Sequence, residues 1–212
     1  MTKRPPDPLD ELFAAIKAIL GRPASPETRR LFKQYLELFL RWNRVHRMTA
    51  LDSPPAIVRD LFIDSLLFMK VMPLHRPVSI VDIGAGAGIP GLPLRLVDPT
   101  LTLTLVESKR KRVSFLLAVC REMSLGGVSV VEGRAEEVPA QQSPLSEAFD
   151  VAVSRAVGPI DHLLPVALPY LRPGGVLLVS GPPGASQGHG VELEKIQVPG
   201  SKRFRSILMA RK

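Results

Sequence analysis

Hydrophobic residues in the first third of the chain recur every three or four positions, which is the spacing of one face of an α-helix. This pattern predicts helices over residues 9–20, 26–46 and 56–72. The second helix has a strong start signal, because Ser25 is a good N-cap and Pro26 suits the first helical position. We therefore expect a flexible tail at residues 1–8 and an N-terminal helical cap at 9–75.

From residue 78 onward, short runs of aliphatic and β-branched residues alternate with helical patterns, which is typical of a parallel sheet covered by helices. Helices are predicted from near Pro90, from Lys109 with Ser108 as the N-cap, and over 161–171. Strands are predicted over 78–81, 101–106, 128–131, 149–153, 176–179, 194–198 and 204–210. Residues 181–190 contain too many glycines and prolines for a helix. The expected fold of residues 76–212 is α/β, with a mostly parallel seven-stranded sheet and helices on both faces.

A turn with glycine at every second position follows the first predicted strand. Gly84, Gly86 and Gly88 allow the backbone to turn sharply and to approach a ligand closely. We expect free N–H groups and the positive end of the following helix to face that ligand. Asp82 ends the strand before the turn, and Glu107 ends the next strand, where it can accept hydrogen bonds from a ribose.

Two classes of nucleoside cofactor fit this turn. Residues 86–91 satisfy G-x-G-x-x-G, the dinucleotide fingerprint, which keeps an NAD-dependent oxidoreductase open. Asp82 favours S-adenosylmethionine instead, because a carboxylate is stable beside a cationic sulfonium and unfavourable beside a pyrophosphate. Glu107 suits either cofactor. An oxidoreductase would also need an acid or base in the second half, where His162 and Tyr170 lie in no recognisable motif.

The composition favours a polyanionic partner. The 212 residues have a formal net charge of +8 and a pI near 10.1, and 45% of them are hydrophobic, which is enough for a core. The single cysteine cannot form an internal disulfide, and no signal peptide or membrane span is visible. The four histidines are scattered, so no metal site is expected. We expect a monomeric cytoplasmic protein without a membrane partner.

Four short motifs in this order resemble one family. They are Trp42-Asn43, Asp64-Ser65, the glycine turn with its Ile-Pro-Gly ending, and Ser154-Arg155-Ala156. Together they are similar to the glucose-inhibited division protein B family, the small-subunit ribosomal RNA methyltransferases G. The resemblance implies a Rossmann-like class I methyltransferase fold, S-adenosyl-L-methionine as the cofactor, and methylation of a guanine N7 in 16S ribosomal RNA, naked or in the small subunit.

The resemblance also implies a set of site residues. Ala135 and Glu136 would border the adenine, and Arg155 would act both beside the cofactor and as the catalytic residue. The full cofactor-binding set is then Asp82, Gly84, Gly86, Gly88, Ile89, Glu107, Ala135, Glu136 and Arg155. From the residues alone, Arg155 is equally able to brace a carboxylate such as Asp82 or Glu136, and Trp42 and Asn43 fit core packing and a helix-end hydrogen bond.

The layout of the predicted sheet brings these residues together. Ligands of such sheets bind outside the carboxyl ends of the strands, where the turn, Glu107 and Arg155 should meet. Basic residues at 109–112 and at 202–205 fall on the same edge, which favours docking of a phosphate backbone. A non-catalytic RNA-binding or assembly protein stays open as a second alternative.

The sequence departs from the family pattern at three substrate-side positions, Leu61, Arg47 and Ser180. These departures affect the expected target base and leave the expected cofactor unchanged.

Overall fold

The computed structural model describes residues 7–72, 77–155, 159–181 and 190–212. Its first two helices, α1 (Pro8–Leu20) and α2 (Pro26–His46), confirm the predicted ones. The Ser25 side chain accepts a hydrogen bond from the Thr28 backbone N–H at 3.0 Å, so the predicted N-cap is present. Most of the predicted tail, residues 1–6, and the predicted boundary at residues 75 and 76 lie outside the described residues.

The third predicted helix is helical but not uniform. It consists of α3 (Pro54–Ile57), a π-helical turn (Val58–Ile63), α4 (Asp64–Leu66) and a 3₁₀ turn (Leu67–Lys70). π-helical turns are rare and are frequently found at functional sites. This one ends at Asp64, whose carboxylate takes part in the site described below.

Seven strands form one sheet in the order β3-β2-β1-β4-β5-β7-β6. The first five strands in this order are parallel, and β7 is antiparallel to both β5 and β6. The strands are β1 (Ser79–Ile83), β2 (Thr102–Glu107), β3 (Val128–Glu132), β4 (Phe149–Arg155), β5 (Leu171–Gly181), β6 (Val191–Gln197) and β7 (Phe204–Arg211). The predicted mostly parallel, seven-stranded sheet is confirmed.

Helices cover both faces of this sheet, as predicted. The helices of this part are α5 (Gly91–Val97), α6 (Arg110–Glu122), α7 (Val138–Gln141) and α8 (Ile160–Ala167). On one face, α5 and α6 share a hydrophobic core with the N-terminal helices. On the other face, α8 packs against β5 in a second core. The N-terminal helices therefore pack onto the sheet layer and do not form a separate core.

Two predicted boundaries were wrong. Ser108 does not cap α6, because the N-cap is Lys109 and its backbone N–H is held by the Glu107 carboxylate. The predicted helix over 161–171 ends at Ala167, and Leu171 already belongs to β5. Residues 173–175, Pro-Gly-Gly, were predicted to end this helix. They lie within β5 instead, where they cause an irregularity in its pairing with β4. Glycine often marks such irregularities in strands. Residues 182–189, for which a helix was judged unfavourable, lie outside the described residues.

The only two tyrosines of the chain occupy equivalent roles on opposite faces of the sheet. The Tyr35 hydroxyl, on α2, donates to the Ala87 carbonyl of the glycine turn at 2.6 Å, and its ring stacks on Phe62. The Tyr170 hydroxyl donates to the Ala135 carbonyl, after β3, at 2.8 Å. Buried tyrosines need such partners. Each one fixes a loop at the carboxyl edge of the sheet.

Removal of the Tyr35 hydroxyl should loosen the glycine turn. In Tyr35→Phe the Ala87 carbonyl loses its buried donor, so we expect a loss of about 1–3 kcal/mol in the free energy of unfolding. The amides of Gly88 and Ile89, which donate to Ala85 inside the turn, should exchange faster. Tyr170→Phe is the matched control, because it removes a similar bond elsewhere. Equal exchange at Gly88 in both variants would contradict a specific role for Tyr35 in holding the turn.

Candidate cofactor site

The predicted site residues meet at one edge of the sheet. The strand register places Ile83, just before the turn, beside Val106, and places the strand-ending Arg155 beside Ser180. Ala135 and Glu136 follow β3, whose last residue pairs with Glu107. The prediction that these loops converge at the carboxyl ends of the strands is confirmed, although residue 156 of the Ser-Arg-Ala motif lies outside the described residues.

The turn itself has the backbone conformation that glycine permits. Gly84, Gly86 and Gly88 have positive φ angles of 71°, 58° and 83°. At Gly88 close packing also excludes a larger residue, because a Cβ there would collide with the Leu92 side chain. The three alternating glycines are therefore required by the turn whether or not a ligand is bound.

The expectation of free N–H groups in this turn was wrong for Gly84, Ala85, Gly86, Gly88 and Ile89. Gly84 and Ala85 both donate to the Val106 carbonyl, and Gly88 and Ile89 both donate to the Ala85 carbonyl. Gly86 donates to the Glu107 carboxylate. A turn whose amides are satisfied internally offers little to a pyrophosphate, which needs unpaired N–H donors. Its electrostatics favour a cationic or neutral ligand.

Glu107 fastens the turn to the next strand. Its Oε2 accepts from the Gly86 N–H at 2.9 Å, its Oε1 accepts from the Lys109 N–H at 2.8 Å, and the Arg112 guanidinium lies 3.6 Å from Oε2. The side chain is 4% exposed. A carboxylate has about four acceptor positions, so two backbone bonds leave capacity for the hydroxyls of a ribose.

Asp82 lies beneath the turn and is fully buried. Its Oδ2 accepts from the Gly91 N–H at 2.7 Å, at the start of α5, and its Oδ1 has no hydrogen-bond partner among the described residues. Burial raises the pKa of Asp82 to about 7, opposed by the Gly91 hydrogen bond and reinforced by the nearby Glu107 charge. Asp82 therefore positions the turn from behind, and direct contact with a cofactor stays a prediction.

Two cavities share Gly84 as a common wall. One, of about 250 Å³, lies between the turn and the N-terminal helices, and the other, of about 240 Å³, lies between β2, the loop after β3, and α8. Gly86, Ile89 and Arg155 line the first cavity. Ala135 and Glu136 line the second. Gly88 and Glu107, like Asp82, support the walls of this crevice and are not among the described lining residues.

Arg155 pairs with the carboxylate of Asp64, which is not one of the two partners predicted from the sequence. Its Nη2 donates to the Asp60 carbonyl at 2.5 Å and lies 3.7 Å from the Asp64 Oδ2. The prediction that Arg155 pairs with Asp82 or Glu136 was therefore wrong. Its Nη1 has no hydrogen-bond partner in the described part of the chain. Arg155 is therefore held in a fixed position, with its Nη1 buried and without a partner among the described residues.

The arginines of the final hairpin are also paired. Arg203 Nη1 lies 3.1 Å from Asp60 Oδ1, and Arg205 Nε lies 2.8 Å from Asp64 Oδ2. Arg203 and Arg205, which the sequence predicts at a phosphate-binding edge, are each paired with a carboxylate of the π-helical segment, so part of their charge is already compensated. Burial raises the pKa of Asp64, opposed by its bonds to Arg205 and the charge of Arg155.

Other predicted residues have structural roles. The Asn43 side chain donates to the Leu51 carbonyl and accepts from the Thr49 N–H, both at 2.9 Å, and Trp42 packs against Phe115. The interpretation of Trp42 and Asn43 as packing and helix-end residues is confirmed. Leu61, which departs from the family pattern, lines the first cavity.

Sequence reasoning missed several wall residues. Phe39 of α2 and the loop residues Met48 and Thr49 line the first cavity, and His162 and Leu163 line the second. No local motif marks them. The two tyrosines were detectable in principle, because a tyrosine at a core position of a helix needs a polar partner.

The fold is one that solved methyltransferases share. A solved structure of a SAM-dependent methyltransferase from Aquifex aeolicus superposes with a TM-score of 0.55, covering 78% of this chain and 96% of that one at 14% identity. A predicted O-methyltransferase from Agrobacterium tumefaciens gives a TM-score of 0.54 over 71% of this chain and 79% of that one, at 19% identity. At these identities the likeness concerns the fold.

The sequence identifies the family. Residues 28–185 match the family model GidB, described as rRNA small subunit methyltransferase G. A relative from Alkaliphilus oremlandii with that name is 39% identical over 145 residues, and one from Moorella thermoacetica is 35% identical over 175 residues. The chain therefore belongs to the rRNA small subunit methyltransferase G family. These matches cover 68% and 82% of the chain, and 60% and 72% of the two relatives.

Within the described residues, no helix is long and apolar enough to cross a membrane. The same residues contain no group of three or more potential metal ligands.

The buried Asp82 should give folding stability a distinctive pH dependence. Its folded pKa of about 7 lies above the ordinary value of 3.8, so its contribution to stability is fully present below pH 4 and is lost as the pH rises through 7. In Asp82→Asn this loss should disappear. Urea denaturation between pH 4 and pH 8 measures the effect, with the exposed Asp161→Asn as the control. Parallel pH profiles for wild type and Asp82→Asn would contradict a buried, protonated Asp82.

Proposed function

We propose that this protein transfers a methyl group from S-adenosyl-L-methionine to N7 of a guanine in 16S ribosomal RNA. The observation that carries the proposal is the glycine turn fastened to Glu107 at adjacent strand ends, in a chain of the rRNA small subunit methyltransferase G family. The proposal covers the cofactor, the target atom and the RNA, and it places the reaction in the cytoplasm with the protein as a monomer.

The two cavities suggest how the cofactor would lie. The second cavity would take the adenine beside Ala135 and Glu136, with the ribose toward Glu107. The methionine part would cross the turn at Gly84 and Gly86 toward the first cavity. When bound, the cofactor supplies an electrophilic methyl on a cationic sulfur. The internally satisfied amides of the turn suit that positive charge, because they direct few N–H donors toward it.

Transfer to guanine N7 needs little acid–base chemistry from the protein. N7 has its own lone pair and no proton to remove, so the reaction requires alignment and exclusion of water. The first cavity suits this task, since Leu61 and Phe39 are apolar walls and Arg155 is a fixed donor. We assign Arg155, which lines this cavity, to orient the target base.

The two alternative functions are less well supported. The NAD-dependent oxidoreductase needs a turn with anion-binding amides, and the turn amides from Gly84 to Gly86, with Gly88 and Ile89, donate inside the protein. The family match also gives it no support. A non-catalytic RNA-binding or assembly protein would have no use for the crevice, and the test below separates it from an enzyme.

The direct test follows labelled methyl groups. Incubation of small-subunit RNA, naked and assembled, with methyl-labelled S-adenosylmethionine should yield 7-methylguanosine on nucleoside analysis. Glu107→Ala should weaken cofactor binding by about 1–3 kcal/mol in calorimetry, because ribose hydrogen bonds are lost. Calorimetric binding of NAD in place of S-adenosylmethionine would support the oxidoreductase. Cofactor binding without methyl transfer to either RNA would support the non-catalytic protein.

Arg155 and Lys202 should affect different quantities. Arg155→Ala should lower the single-turnover rate of methyl transfer about tenfold or more through loss of base orientation. Lys202 is exposed, so Lys202→Ala should weaken RNA binding and reduce its salt dependence by roughly one unit of slope, with the rate at saturation unchanged. Arg203 is unsuitable for this comparison because it is paired with Asp60. Indistinguishable profiles for Arg155→Ala and Lys202→Ala would remove Arg155 from the active site.

A further inference from the structure

A third and larger cavity opens beside the cofactor crevice. Its volume is about 620 Å³, and its lining includes Arg155, Ser180, Lys195 and Phe204. Arg155 also lines the first cavity, so the two cavities lie on either side of this one side chain. The size is that of a small-molecule or nucleotide site. The cofactor position proposed above uses the first two cavities and not this third one.

Phe204 is the unusual residue of this cavity. It is 59% exposed, and among the described residues it is the only Phe, Tyr or Trp side chain with high exposure. Such exposure leaves apolar ring surface in contact with water, which is unfavourable. Phe204 begins β7 and pairs with Gln197 on β6, while Ser206 pairs with Lys195. Directly paired residues of antiparallel strands share a face, so the Phe204 ring and Lys195 lie diagonally on one face, roughly 7–8 Å apart.

The charges around this ring are those of a site for a phosphate chain. Lys195 and Lys202 are exposed and take part in no ion pair within the described residues, in contrast to the paired Arg203 and Arg205. The acidic Glu194 of β6 is one residue from Lys195, so it points to the opposite face of the strand. The Phe204 face therefore presents an aromatic ring and the Lys195 cation, while Asp64, the carboxylate in the described cavity lining, is paired with Arg205.

We propose that Phe204 is a stacking platform for an unpaired RNA base next to the target guanine, with Lys195 and Lys202 on the adjacent phosphates. This inference rests on the proposed function, because it assigns the RNA a second contact at the same site. An exposed aromatic ring beside lysines is the usual arrangement for single-stranded nucleic acid, in which every base has a flat face to stack. The shared Arg155 places the stacked nucleotide beside the one in the crevice.

The test compares aromatic and aliphatic replacements. Phe204→Ala and Phe204→Leu should each weaken binding of naked small-subunit RNA by about ten- to a hundredfold, whereas Phe204→Tyr should retain wild-type affinity. The salt dependence of binding should stay unchanged in all three, because no charge is lost, and should decrease in Lys195→Ala. Leu117→Ala is the matched control, since Leu117 is 51% exposed on α6, away from this hairpin. Affinity for S-adenosylmethionine, measured in parallel, should be unchanged in every variant.

Four results would overturn the inference. Full affinity in Phe204→Leu would show a general apolar contact in place of base stacking. A defect seen only on assembled subunits would indicate a ribosomal protein as the partner. Unchanged affinity in every Phe204 variant, with wild type still methylating RNA, would reject the platform and leave the proposed function intact. A wild-type protein that binds S-adenosylmethionine but no RNA would reject both.

Discussion

The Glu107 carboxylate is the interaction on which the site depends. It accepts hydrogen bonds from Gly86 and Lys109, so one side chain fixes both the glycine turn after β1 and the start of α6 after β2. A buried carboxylate is stable only with such partners, and Arg112 adds a third. Tyr35 holds the same turn from α2. The crevice is therefore already formed without a ligand, which lowers the cost of binding one.

A second constraint comes from the carboxylates of the π-helical segment. Asp60 and Asp64 pair with Arg155 and with the hairpin arginines 203 and 205, and this network joins the N-terminal helices to two strand ends. Removing one partner of such a network leaves a buried charge, so the network fixes the relative position of these elements. It also means that the positive net charge of the chain overstates the cations available to RNA at this edge. The exposed lysines and Phe204 remain for that role.

The sequence was most informative where local geometry permits few alternatives. Alternating glycines after a β-branched strand predicted the turn, and the alternation of strands and helices predicted the sheet and the edge where the site lies. Contacts between residues far apart in the sequence could not be predicted, because they depend on how the whole chain packs. Nothing near Arg203 in the sequence indicates Asp60, which lies 143 positions away. The internal bonding of the turn amides depends on Val106 and Glu107, on another strand, and the early start of β5 depends on pairing with β4.

The central claim is that the crevice over the glycine turn binds S-adenosylmethionine. Hydrogen–deuterium exchange of the intact protein, with and without S-adenosylmethionine, tests it most directly because it reports the location of binding. If the crevice is the binding site, the cofactor should add protection in peptides that cover residues 83–91, 106–110 and 133–137. The β6–β7 hairpin should show no change. Protection confined to the hairpin or to the N-terminal helices, with the turn unchanged, would contradict it.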